Sequence, residues 1–252
     1  MDNKYFKIDC QNCYGLCCCA LYLSKVDGFI EDKKAGIRCT YLDAKYRCTI
    51  YQDLLVKGSK GCRIYDCFGA GQLVTKMYQT KESDKEIFNT YLLVYSLQEI
   101  GWYLLQAKGY AKEIKLVNKI EALLLNNQDL VSKTPLSKEV EIYLVSARKT
   151  LKEVCDSITK KDKMKKRSYF KKDFSYQNLD NRDFSMTIMI ASNLEGSSLL
   201  NTNFLGADIR DVNLKNTDIS HCLFLTQAQI NSTIGNKNTK LPPYLTMPTL
   251  WK

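Results

Sequence analysis

The sequence predicts a multi-part α+β chain: a cysteine-rich metal module over residues 1–78, an α-helical hairpin or bundle spacer with a basic linker over 79–168, and a repeat domain with a C-terminal cap over 169–252. Three observations predict it. Nine of the eleven cysteines lie between Cys10 and Cys67. Apolar residues then recur at i, i+3, i+4 spacing from Ser83 to Ile158. From Phe174 onward every fifth residue is large and apolar, a period that fits neither a helix nor a strand.

Composition bounds the function classes. With 252 residues, 45% hydrophobic and 25% charged, the chain is globular rather than disordered. The net charge of +10 is spread: 12 basic against 8 acidic residues over 1–80, 17 against 12 over 81–168, and 8 against 7 over 169–252. The one dense run, Lys160 to Lys172, reads mainly as a solvated linker and secondarily as a phosphate-binding strip. "MDNKYFKIDC" carries no apolar signal region, and "YLLVYSLQEIGWYLL" is too short and too polar to span a bilayer. The expectation is therefore a cytoplasmic protein without a membrane partner. Reducing conditions there point dense cysteine toward metal or redox chemistry instead of disulfides.

In the first segment, C-x2-C-x3-C-C at Cys10, Cys13, Cys17 and Cys18 brings several thiols into one tight loop, the local half of a soft-metal site. Cys39, Cys48, Cys62 and Cys67 can supply the other half. Cys19 is an extra. The "GAGQ" at Gly69–Gln72 lacks the spacing of a dinucleotide loop and reads as the turn leaving the module.

Three helices follow. Ile87, Tyr91, Val94, Tyr95 and Gln98 lead toward Tyr103 and Leu104; Ile114, Val117, Ile120 and Leu124 mark the second stripe. The third opens at "TPLSKEVE", where Thr134 or Ser137 can cap and Pro135 suits a first turn, and it buries Val140, Leu144, Ala147, Leu151, Cys155 and Ile158. Cys155 is accordingly a packing residue.

The last segment repeats eleven times without a break, at Phe174, Leu179, Phe184, Met189, Leu194, Leu199, Phe204, Ile209, Leu214, Ile219 and Phe224. A small residue stands two positions before most of them, from Thr187 to Cys222, and Asp or Asn usually stands immediately before. Cys222 occupies one of these small positions and reads as a packing residue as well. His221, the only histidine, faces outward, so no Ser-His-Asp set can be built.

This segment resembles the pentapeptide-repeat family, through stretches such as "SNLEG" and "ADIRD" over 171–225. The resemblance implies a right-handed quadrilateral β-helix, one pentapeptide per side. Its tail, "LTQAQINSTIGNKNTKLPPYLTMPTLW", has prolines 242, 243 and 248 to stop strand pairing and Trp251 to cover the open apolar end. The first segment resembles the bacterial family with a C-x-x-C-x-x-x-C-C motif described as zinc- or iron-chelating, through "LCCCALYLSKVDGF", "DKKAGIRCTYL", "YRCTIYQDL" and "GCRIYDCFGAGQ". Carried over by position, it selects Cys10, Cys13, Cys17, Cys18, Cys39, Cys48, Cys62 and Cys67 as metal ligands.

Eight thiolates without histidine permit two closed zinc sites, iron–sulfur clusters, or a polythiolate copper(I) or zinc store. The functional expectation is a metal-binding protein, with zinc or iron held by thiolates and a protein partner met through the β-helix surface, rather than an enzyme. The alternatives are a metal- or iron–sulfur-dependent redox or peptide-modifying enzyme, and a DNA mimic that protects a topoisomerase, as the quinolone-resistance pentapeptide proteins do. The DNA-mimic reading needs a long acidic rod, whereas seven acids here face eight bases over 169–252. Nucleic acid is not expected as a partner.

Overall fold

A computed structural model describes residues 2–54, 56–78, 84–159 and 166–251. They form two compact units, Met1–Thr150 and Leu151–Lys252. Residues 160–165 of the basic linker lie outside the described residues.

The first unit is organised by helix. Short helices α1 (Leu16–Ala20), α2 (Lys60–Ile64) and α3 (Ala70–Met77) belong to the cysteine-rich segment, and α4 (Asp84–Tyr110) and α5 (Ile114–Ser132) follow. A sixth helix, α6, runs Ser137–Ile158 across the division between the units; Ser137 is its first helical residue and not its cap, and the Leu136 N–H donates to the Glu139 carboxylate (3.4 Å). Helix α4 is apolar on most sides because it is packed on most sides: α5 lies against it, as do α1, α3 and the 3-10 turn Asn3–Phe6. Ile87, Tyr91, Val94, Leu97, Leu104 and Ala107 are buried on it. Among the described residues no helix is long and apolar enough to cross a membrane.

Of the stripes expected on α4 and α6, Ile87, Tyr91, Val94, Gln98, Tyr103 and Leu104 and Val140, Ala147, Leu151 and Cys155 are buried, whereas Tyr95, Leu144 and Ile158 are half-buried. On α5, Ile120 and Leu124 are buried but Ile114 is exposed, because it opens the helix in a turn that nothing covers. Two buried amides tie the helices to their neighbours. Gln98 Nε2 donates to the Phe68 carbonyl (2.9 Å) and Asn127 Nδ2 to that of Leu97 (2.7 Å).

The expected β-helix is corrected in the second unit. Among the described residues there is no strand and no sheet; the regular elements are helical, and residues 168–240 run as successive turns joined by isolated parallel bridges. The physical reason lies in the five-residue unit. Lys171, Tyr176, Asn181, Met186, Ala191, Asn201, Asp211 and Asn216 have φ between 53° and 60°, and Gly196 and Gly206 fill the same register. A left-handed residue at each fifth position breaks the extended chain before a ladder can start. Where Asp or Asn stands ahead of the central residue, it closes the turn. Its side-chain oxygen accepts the N–H two residues on, as Asp173 does from Ser175 (2.9 Å), Asn203 from Leu205 (2.9 Å) and Asn213 from Lys215 (3.1 Å).

Bridged residues stand 20 apart from Ser168↔Ile188 to Asn203↔Leu223, so like positions stack on like. The central large residues from Phe174 to Phe224 and the small residues from Thr187 to Cys222 are all buried. Small hydroxyls repay their burial by donating to nearby carbonyls, as Thr202 Oγ1 does to Leu179 (2.9 Å) and Thr217 Oγ1 to Leu194 (2.9 Å). Beyond Phe224 a helix, α7 (Gln227–Asn231), replaces a repeat. Thr226 and Gln229 form its capping box. The bridges then become Asn213↔Ile234 and Asp218↔Lys240, lengthened by one and then two residues. Trp251 is buried in the repeat core and its Nε1 donates to the Thr233 carbonyl (3.1 Å).

Candidate metal centre

The thiol site is built by short turns with exact backbone requirements. Asp9 caps the 3-10 turn Cys10–Asn12 by accepting the N–H groups of Gln11 and Asn12. Gly15 then turns the chain into α1 with φ +62°, close enough to Leu42 and the Tyr46 carbonyl that a Cβ would stand 3.1–3.3 Å from them. Helix α1 carries Cys17, Cys18 and Cys19. Successive helical residues differ by about 100° in direction, so the three point to different surroundings. Cys19 is buried with Cys39 and Leu42, with Cys18 and Cys48 packed against them.

An antiparallel bridge presents Cys48, and the Cys39 N–H donates to the Cys18 carbonyl (3.0 Å). Leu23 pairs with Lys33 and Leu42 with Cys48. Cys62 is brought in by a backbone crossing: Gly61 N–H donates to the Gly28 carbonyl (2.7 Å), and a Cβ on Gly61 would fall 2.7–2.9 Å from the backbone of Asp27, Gly28 and Phe29. Cys67 precedes the left-handed Gly69, which starts α3. The "GAGQ" segment therefore opens a helix instead of leaving the module. Gly71 within it leaves room for sulfur: a Cβ there would stand 2.7 Å from Cys13 Sγ and 3.7 Å from Cys67 Sγ.

Backbone amides converge on these sulfurs. Cys13 accepts from Gly15 and Leu16, Cys67 from Gly69 and Gly71, Cys39 from Tyr41, and Cys48 from Ile50. Cys17 and Cys18 share a sulfur–sulfur hydrogen bond of 3.8 Å. Burial pushes the thiols of Cys13, Cys48 and Cys62 up, that of Cys10 to about 11 and those of Cys39 and Cys67 to about 12. Cys17 is raised by its bond with Cys18 and then by burial. Cys18 is held below the usual thiol range by that bond, with the Lys33 ammonium assisting. Buried thiols of this kind release their protons to a bound cation more readily than to water.

Sequence reasoning missed the groups around the sulfurs. Lys33 is 6% exposed, and its Nζ donates to the carbonyls of Cys19 (3.2 Å), Leu21 (2.6 Å) and Lys34 (3.2 Å). Glu31 holds Thr40 by two hydrogen bonds (3.0 and 2.6 Å) and bonds the Cys39 thiol. The hydroxyls of Tyr65 and the buried Tyr91 meet at 2.9 Å within electrostatic reach of Cys17 and Cys67. No spacing rule marks these residues. Only the glycines before Cys62 and after Cys67 carried a signal, as places where a backbone or a sulfur comes close.

All eight expected ligands fall within the first unit, and they are thiols of the kind that soft metals take. Among the described residues no three His, Cys, Asp or Glu side chains converge closely enough to hold an ion. Cys155 and Cys222 are buried in the second unit. Cys222 Sγ donates to the Leu199 carbonyl (3.3 Å).

A family model for pentapeptide repeats matches residues 187–224 in 8 copies. No solved structure matches the chain. Over 281 aligned positions the chain is 33% identical to the "Uncharacterized protein YybG" of Bacillus subtilis (strain 168), covering 100% of this chain and 97% of that protein. With a relative aligned over its whole length and a repeat segment read independently from its five-residue period, the chain belongs to the family of YybG and is a pentapeptide-repeat protein.

Proposed function

We propose that this chain is a metal-binding interaction protein, in which the first unit holds zinc or iron through cysteine thiolates and the repeat stack offers a surface to a protein partner. The observation that carries the metal reading is the presence of nine thiols and no histidine in one compact unit, five of them with backbone amides aimed at sulfur. Amide donors favour the charged form of a thiol and are the usual support around metal-bound sulfur. The repeat stack supports the interaction reading by leaving Phe170, Tyr176, Met186, Ile188 and Leu200 exposed among its polar turns.

Elemental analysis of the full chain, purified without air and in reducing buffer, tests the metal reading. Zinc or iron should co-purify in stoichiometric amount and leave only with a strong chelator. Protein that carries neither zinc, iron nor copper, and takes up none on addition, overturns it.

A further inference from the structure

The sides of the repeat stack differ in what they leave open. Their outward positions are those just before and just after each central residue, and bridged positions stand one above another. On the side that carries Asp183 and Asn203, the outward Leu223 and Leu225 are buried. Two more sides are polar apart from Leu200: Asp173, Asn193 and Asn213 stack on one, and Asn178, Ser198 and Asp218 on the other. The remaining side, residues 167–171, 187–191 and 207–211, keeps apolar side chains in the open.

We propose that this side is a docking site for a short acidic segment of a partner protein that also carries bulky apolar residues, which would pack on Phe170, Met186, Ile188 and Ile190 while its carboxylates meet Arg167 and Lys171. The assignment rests on the interaction reading above and gives it a face and a partner chemistry.

Three rows build the site. In the first, Phe170 is 56% exposed, with the Lys171 ammonium 5.2 Å from its ring centroid and Arg167 exposed at the other end. Lys166 and Lys172, both exposed, continue this basic edge. In the second row Ile188 is 45% exposed and Ile190 half-buried. Two hydrogen bonds hold these rows in register: the Tyr169 N–H donates to the Ile188 carbonyl (2.6 Å), and the Ile188 N–H to that of Arg167 (2.9 Å). Met186, 74% exposed, borders the band at its corner and lies across Gly206, where a Cβ would stand 2.5 Å from its sulfur. In the third row Asp208 and Arg210 pair with each other (2.8 Å). The residues that would form a fourth row are α7 instead.

Size and charge select the occupant. Five residues by three rows make a face of roughly 16 by 14 Å, or about 220 Å², against about 800 Å² on each partner of a stable protein complex. A second copy is therefore poorly served by it, and a net charge of +10 sets two copies against each other. A short segment fits the area. Its acidic residues complement the first row, and its apolar residues cover the second. A nucleic acid would use the basic edge but leave the isoleucines bare.

Selection of a random dodecapeptide library on the full chain tests the site. Enriched peptides should combine acidic with bulky apolar residues and bind more weakly as salt is raised. Their affinity should fall by about tenfold or more for Ile188→Asp, and likewise for Arg167→Glu with Lys171→Glu, which leaves the apolar band intact should the first variant fold poorly. Tyr176→Ser and Leu200→Asp, elsewhere on the stack, should leave binding unchanged. Failure of the library to enrich, enrichment of basic peptides, tighter binding of single-stranded oligothymidine, or a native dimer that Ile188→Asp dissociates each overturn the proposal. Peptides indifferent to Ile188 and Arg167 but lost with Leu200→Asp overturn this side alone and keep the stack as an interaction surface. Peptides indifferent to every one of these substitutions remove the interaction reading itself.

Discussion

Glycines in this chain divide by what a β-carbon would meet. Gly61 carries Cys62 across the Gly28 turn with backbone atoms 2.7–2.9 Å from its missing Cβ, and backbone cannot swing aside as a side chain would. Gly61→Ala should therefore cost about 1–3 kcal/mol in urea unfolding of the full chain. Gly109 is the opposite case: it lies near the end of α4, at an ordinary φ, with nothing within 4 Å of a Cβ. Gly109→Ala should stabilise by about 0.5–1 kcal/mol, because alanine loses less conformational freedom on folding. Equal effects of the two substitutions would contradict the backbone crossing. Lys33 belongs to the same scale. Its ammonium lies buried against three carbonyls beside Cys18, and nothing in the spacing of lysines distinguishes it from the solvated ones.

At the scale of the element, the pentapeptide unit is a turn with an inward pair of side chains. Leu199→Ala or Phe204→Ala should cost about 2–5 kcal/mol by opening a cavity in the stack, while Lys215→Ala, at an exposed position, should stay within about 0.5 kcal/mol. Asn201 is no neutral control, since its φ of 55° makes alanine there strained. The turn-closing carboxylates give the unit a pH dependence. Asp218 is held below the usual carboxylate range, first by the Ser220 hydroxyl, with the Ser220 N–H and Lys240 assisting. Asp173 is lowered in the same way, chiefly by the Ser175 N–H and hydroxyl. A depressed folded-state value means that their contribution is full above the ordinary carboxylate value and is lost as pH falls through the folded one. The stability of the second unit should fall on acidification below about pH 4, and Asp218→Asn should flatten that fall. A slope unchanged by the substitution would count against the Asp218 turn as its source.

For the molecule as a whole, the two units draw their stability from different sources. The second has a continuous apolar core from Tyr169 to Trp251. A fragment spanning 151–252 should therefore unfold cooperatively by circular dichroism, at a midpoint that a chelator does not move. The cysteine-rich turns of the first unit bury few large apolar side chains, among them Phe6, Leu16, Leu23 and Leu54. Stripping metal from the full chain under reducing conditions should loosen these turns while the repeat stack stays folded. A fragment that is disordered alone, or a full chain whose two units respond alike to the chelator, would refute this separation.

The sequence by itself determined the repeat unit, its inward residues, the three long helices and the place of the thiols, because each of these is a local pattern repeated often enough to be read. A five-residue period with Asn or Asp ahead of a large residue can be satisfied only by a closing turn. Its conformation was harder to read: a left-handed φ at residues as unlike as Tyr176, Met186 and Ala191 is imposed by stacking, and it is what replaces the expected strands with isolated bridges. The bare faces of Gly61 and Gly71, the burial of Lys33, the meeting of Tyr65 with Tyr91, and the separate surroundings of Cys17 and Cys18 were decided by tertiary structure alone. Each depends on which distant segment lies opposite, and spacing along a chain carries no information about that until the chain is folded.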